Sequence, residues 1–321
     1  MTAAPASTSP TATSAAPAGR VWLPRILLAN LGVEVLIVVT GGLVRLTGSG
    51  LGCPTWPQCV PGSYTPVPHQ AEGWHRYIEF GNRMLTSVVS IAALATVYAV
   101  WRWSGPTRQR WYAVWERQGT RHDLLRPALV VLGGVAVQAV LGGVTVRTGL
   151  NPYTVAAHFL VSMCLVTAAA YLVFRAPEGE GARDLAVHPL VERLGWVTCA
   201  AAAVVLALGT IVTGSGPHSG DADEPARFGL DPRTISWLHA DAVMLFVGLV
   251  VAVWIASRLT GSSPVPGRAW AVVFAVTLAQ GLVGYTQYFT GLPWAVVLVH
   301  MFLATLLVVA LTRAMVRLRA L

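Results

Sequence analysis

The chain has 321 residues, of which 55% are hydrophobic and only 11% charged, whereas a soluble domain carries about a quarter charged residues. That composition excludes an ordinary globular surface, and eight spanning helices of about 20 apolar residues each would leave no room for a large soluble domain. The net charge of +8 rests on 22 arginines without a single lysine, a balance that suits the cytoplasmic loops of a bilayer protein better than nucleic acid, which is not expected as a partner.

In chain order, residues 1–22 are mostly Ala, Pro, Ser and Thr. They cannot bury a core and lack the basic start of a secretory signal, so they read as a disordered cytoplasmic tail. Apolar stretches punctuated by Arg, Pro and Gly follow at about 24–44, 77–101, 127–146, 153–174, 194–213, 234–257, 268–288 and 293–316, which predicts eight transmembrane helices embedded in membrane lipid. With the amino terminus inside, 16 of the 22 arginines fall in cytoplasmic segments. The positive-inside rule therefore puts both termini of a multi-pass cell-membrane protein in the cytoplasm and turns loops 46–76 and 214–233 outward.

The halves repeat. Thr47-Gly48-Ser49-Gly50 closes the first span and Thr213-Gly214-Ser215-Gly216 the fifth. Gln138 precedes Thr148-Gly149-Leu150 by ten residues and His158 by twenty, and Gln280 stands in the same relation to Thr290-Gly291-Leu292 and His300. A weaker match sets Arg76 to Asn82 against Arg233 to His239. The predicted fold is thus an all-α integral membrane protein whose eight transmembrane helices form two tandem pseudo-symmetric four-helix bundles, 23–175 and 194–321, joined by a cytoplasmic linker at 176–193.

At 1.5 Å per residue, His239 lies about 9 Å into its span and His300 about 10 Å into the last one, both from the outward end. Two inward imidazoles at one depth on facing helices suit the two axial positions of a haem iron. His158 repeats the arrangement in the first half, but its partner position is Asn82, a poor iron ligand, so that site would keep an open face where chemistry can occur. The competing reading of each histidine is an interhelical hydrogen bond. His69, His75 and His218 are expected in outer loops and His122 and His188 in cytoplasmic ones; of these, His75 could still reach the first site.

Glu79 stands one turn before Asn82, in a span where an ionised carboxylate is expensive unless paired or working. Its counterpart in the second half is Ser236, which makes Glu79 a candidate for proton transfer or for stabilising a cation, with a structural pair to Arg83 or Arg76 as the alternative. Glu34, deeper in the first span, is expected to pair or to snorkel, and Asp241 to be structural. Cys53 and Cys59 close a small ring in an outward loop, where a disulfide can persist; zinc would need two further ligands. Cys164 and Cys199 read as small apolar residues.

Taken together, Thr47-Gly48-Ser49-Gly50, the Cys53 to Cys59 loop with Trp56-Pro57, Glu79-Phe80-Gly81-Asn82-Arg83, His158 after its Thr-Gly-Leu turn, and the late pair His239 and His300 resemble the haem A synthase family over about residues 22 to 316. The resemblance implies oxidation of the ring methyl at position 8 of haem O to a formyl group, giving haem A for cytochrome oxidase, with water as oxygen source. It implies a haem b held at His239 and His300 that relays electrons, and an essential glutamate, here Glu79, in the half that receives haem O. Many members carry histidine where this chain has Asn82, so His158 is the expected ligand there and Asn82 a polar neighbour. Pathway logic adds the haem O synthase and cytochrome oxidase assembly factors as partners, and a homo-oligomer is allowed. The rival readings are a non-catalytic b-type membrane cytochrome and a duplicated transporter.

Overall fold

The computed structural model describes residues 19–103, 121–179, 182–221 and 225–320. Among them run eight long helices: α1 Gly19–Leu46, α2 His75–Trp103, α3 His122–Arg147, α4 Pro152–Arg175, α5 Pro189–Ser215, α6 Pro232–Thr260, α7 Pro264–Phe289 and α8 Trp294–Val316. Each is long and apolar enough to cross a membrane, so the chain is a multi-pass membrane protein of the all-α class with all eight expected spans. Two short strands, β1 Asp184–Leu185 and β2 Arg319–Ala320, pair antiparallel and tie the linker to the end of α8. Most of the expected tail, residues 1–18, and the arginine-rich stretch 104–120 lie outside the described residues.

Helices α4 to α7 begin earlier than their apolar stretches because their polar flanks are caps. Asn151, Asp231 and Ser263 accept backbone hydrogen bonds from Tyr153, Thr234 and Val265, and each is followed by proline. Proline at the first helical position loses no intrahelical bond and has its φ already set. His188, expected as a loop residue, caps α5 in the same way through the N–H of Leu190, and His122 is the first residue of α3. The first helix starts at Gly19, with Pro24 inside it.

Packing follows the repeat. Within each half, successive helices lie side by side; between halves α4 packs on α8, while α1 meets α8 and α5 meets α4. These reciprocal contacts place the two halves about an approximate twofold axis between α4 and α8. Close approach there uses a small residue, since a methyl on Gly42 would come 2.9 Å from the Met301 side chain of α8. The first-half core gathers Leu31, Val38, Val89, Val131 and Val166 with Val308 of α8, and the second-half core gathers Phe246, Val250, Val253, Trp270 and Val273.

The repeated Thr-Gly-Leu turn has one backbone in both copies. Gly149 and Leu150 take φ of 60° and 55°, and Gly291 and Leu292 take 78° and 60°. A leucine in the left-handed region is uncommon, and here it recurs. Leu150 N–H donates to Thr145 O at 2.9 Å and Leu292 N–H to Gln287 O at 2.8 Å, closing α3 and α7 alike. Leu150 is also wedged against Gly50 and Gly220, where added methyls would come within 2.6 and 3.2 Å of its side chain.

The two ends of the molecule are cross-tied differently. On the side carrying the disulfide loop, Arg45 donates to the carbonyls of His218 at 2.8 Å and Thr213 at 3.2 Å. There too Gly50 N–H donates to Gly220 O, and His218 Nε2 bonds Leu292 O at 2.9 Å. The described part of the outward loop 214–233 is thus fastened to α1 and to the α7–α8 turn. On the opposite side Glu178 bridges Arg183 and Arg317, each at 2.9 Å, next to a cluster of Asp123 with Arg121 and Arg175.

Candidate functional site

The first half holds a clamped carboxylate. Glu79, in the second turn of α2, has a side chain only 7% exposed. The N–H of Cys53 donates to its Oε2 at 2.7 Å, and Arg83, one turn on, donates to Oε1 through Nε at 3.0 Å and Nη2 at 2.5 Å. Arg83 then spends its remaining donors on the loop itself: Nη1 on the carbonyls of Thr55 and Gln58, and Nη2 on that of Cys53 at 2.6 Å. The structural pairing allowed as an alternative for Glu79 is therefore present, with Arg83 rather than Arg76.

Cys53 and Cys59 are disulfide-bonded, as expected, and both are fully buried. The ring they close sits on α3, where Trp56 covers Gly143 and Arg147 stacks at 5.8 Å over the Trp56 ring while donating to its carbonyl. Gly52 lies so tightly against the start of α2 that a side chain there would collide with the His75 carbonyl. His75 is not in the outer loop but is the first residue of α2; its Nδ1 bonds Ser49 Oγ at 2.8 Å and its ring stacks on Trp74. The polar Trp74-His75-Arg76 stretch ahead of the apolar run hid this helical turn. Asn82 is half-buried and accepts a hydrogen bond from Thr40 Oγ1 at 2.7 Å.

The three intramembrane histidines share one packing device. Each lies against a glycine of the preceding helix: His158 on Gly142, His239 on Gly209 and His300 on Gly284, where an added methyl would sit 3.4, 3.4 and 3.2 Å from the ring Cε1. The glycine precedes the Thr-Gly-Leu turn by the same interval in α3 and α7. In each ring Nδ1 is sealed from solvent without a hydrogen-bond partner. The carbonyls of Val205 and Gln280, each four residues before its glycine, face His239 and His300 outside the geometry of a full hydrogen bond.

Such rings fit haem ligation. With Cε1 against a glycine and Nδ1 turned to the helix, Nε2 is the nitrogen left for an iron, and a backbone carbonyl behind Nδ1 is the usual orienting partner of a ligating imidazole. Among the described residues no group of three or more His, Cys, Asp or Glu could hold a metal ion. Gln138 differs from its repeat mate in that its amide donates to His158 O at 2.9 Å and to Ser162 Oγ at 2.5 Å.

An eight-span all-α protein in two matching halves, with glycine-backed histidines in both and a carboxylate clamped in one half only, is a duplicated multi-pass membrane protein. The chain belongs to the COX15-CtaA family of cytochrome oxidase assembly proteins, whose sequence model matches residues 24–219. It is similar to the haem A synthase of Lysinibacillus sphaericus, at 26% identity over 87% of this chain and 89% of that one. The haem A synthase of Methylorubrum extorquens is 30% identical over 92% and 85%, and that of Geobacillus thermodenitrificans 33% identical over 44% and 38%.

Proposed function

We propose that this chain is a haem A synthase, oxidising the position 8 methyl group of haem O to the formyl group of haem A. The observation that carries the reading is the asymmetry of the halves. Glu79 is buried and held at three contacts in the first half, while its counterpart Ser236 merely bonds the Pro232 carbonyl of its own helix. A buried, oriented carboxylate present only beside the incompletely ligated position is what proton handling at a substrate needs.

In this reading His239 and His300 hold a resident haem b, which supplies electron relay when bound. His158 would ligate the substrate haem, with Asn82, fixed by Thr40, as a polar neighbour. The methyl is hydroxylated twice with water as oxygen source, each step releasing two protons and giving up two electrons to an external oxidant, and the geminal diol loses water to leave the aldehyde. Glu79 takes up a proton at its carboxylate or stabilises positive charge at the ring edge. Arg83 and the Cys53 N–H keep both carboxylate oxygens in place, so the disulfide ring acts as the mount of the glutamate. The helices exclude bulk water, which strengthens these interactions.

The arginine distribution supports a cell-membrane location with both termini in the cytoplasm, which would put the disulfide ring on the oxidising side. Haem O synthase and oxidase assembly factors are the partners this role implies. The test is incubation of the purified protein with haem O followed by pigment extraction. Haem A should form with the wild-type chain and not with Glu79→Ala, while haem b stays bound to both. Haem b without any conversion of haem O would instead identify a membrane cytochrome.

A further inference from the structure

The repeated glutamine is used differently in the two halves. On α3, Gln138 stands one turn before Gly142, the glycine against the His158 ring, and on α7 Gln280 stands one turn before Gly284, the glycine against the His300 ring. In the first half the Gln138 amide reaches across to α4. Its Nε2 donates to His158 O at 2.9 Å and to Ser162 Oγ at 2.5 Å, and the Ser162 hydroxyl donates to the same His158 carbonyl at 3.0 Å. Both amide hydrogens and the hydroxyl hydrogen are thus used, in a closed triangle of polar groups on the backbone of His158 itself. In the second half Ala304 takes the place of Ser162. There Oε1 of Gln280 is sealed from solvent without a partner, and among the described residues the Gln280 side chain makes no hydrogen bond to α8.

The second-half histidines are approached from the ring side instead, by the carbonyls of Val205 and Gln280, whereas His158 is gripped by its backbone. A side chain bonded to the backbone of a ligand fixes where that ligand stands without depending on the iron. A resident haem bonded on both faces holds its own two helices together, so an interhelical tie there adds little. A haem that arrives as substrate and leaves as product breaks its bond to α4 in every turnover, and that helix must keep its place while the site is empty. Ordering the ligand before the haem arrives removes that cost from binding, and in a bilayer an interhelical hydrogen bond is a direct way to do so.

We propose that Gln138, together with Ser162, is a positioning residue that holds His158 ready for haem exchange in the first half, an inference that rests on the reading of that half as the haem O site. It acts through the backbone of His158 and takes no part in the oxidation.

The test uses the full chain carrying its second-half haem in detergent, loaded with haem O, and follows the transfer of haem O to apomyoglobin by absorbance. Gln138→Met keeps the bulk and removes both donors. It should speed haem O release about threefold to tenfold and leave the second-half spectrum unchanged. The mirror substitution Gln280→Met, which removes no bond to α8, should leave the release of both haems as in wild type. Ser162→Ala should produce part of the effect, and combining it with Gln138→Met should add little to Gln138→Met alone, because the two share one network. Should Gln138→Met fail to take up haem O, Ser162→Ala carries the comparison. Unchanged release in both first-half variants, the same acceleration in Gln280→Met, or a second-half spectrum that changes together with haem O release would overturn the role of Gln138. Wild-type protein that neither binds nor converts haem O would overturn the reading of the first half itself.

Discussion

Replacing Arg83 by methionine is the sharpest probe of the glutamate mount. The substitution keeps side-chain bulk but removes both donors to Glu79 Oε1 and the bonds to the carbonyls of Cys53, Thr55 and Gln58. Breaking a buried ion pair by deleting one partner costs about 3–5 kcal/mol. Arg83 is one-fifth exposed, so water can recover part of that, and about 3 kcal/mol is the expected loss. The assay is reversible unfolding of the purified protein in mixed micelles, run as a double-mutant cycle with Glu79→Gln. Because the neutral amide needs no counter-charge, the second substitution should recover part of the loss, with a coupling of about 1–3 kcal/mol. A loss below about 1 kcal/mol with no coupling, the behaviour of an exposed pair, would refute the claim that Arg83 holds the carboxylate and the loop together.

Three further outcomes are expected. Gly284→Leu should displace His300 and bleach the b-type haem spectrum, because even a methyl there would come within 3.2 Å of the ring; retention of an unchanged spectrum would refute the glycine-backed geometry. Cys53→Ser with Cys59→Ser should lower the rate of haem A formation while leaving the second-half haem spectrum unchanged, and full activity would show that the ring does not position Glu79. Asp231 caps α6 through Thr234, whose N–H and hydroxyl hold its carboxyl below the ordinary aspartate value. Its folded pKa is the lower one, so its contribution is present above about pH 4 and fades as pH falls. Asp231→Asn should remove that part of the acid sensitivity, and an identical acid-unfolding profile would refute it.

The eight spans were legible because each is an uninterrupted apolar stretch, which leaves little else for the chain to do in a bilayer. Their ends were not, because capping residues such as Asp231 and His188 are polar and look like loop. The repeat was legible as spacing, and the paired left-handed leucines Leu150 and Leu292 give it a backbone. Residues facing one another over long separations left no local signal. Arg45 reaches His218 across 173 positions and Arg83 reaches Cys53 across 30, and neither spacing has a period to read. The glycines behind the histidines were missed for the same reason, although the interval from Gly142 and Gly284 to their Thr-Gly-Leu turns repeats in the sequence. The two-residue strands carry too little pattern to announce themselves.

Unequal iron ligation by the two halves is tested most directly by the low-spin haem signal of the purified protein in visible and electron paramagnetic resonance spectra. His239→Ala and His300→Ala should each abolish the bis-histidine signal, whereas His158→Ala should leave it intact. A signal that survives both second-half substitutions, or that disappears with His158→Ala alone, would contradict the assignment.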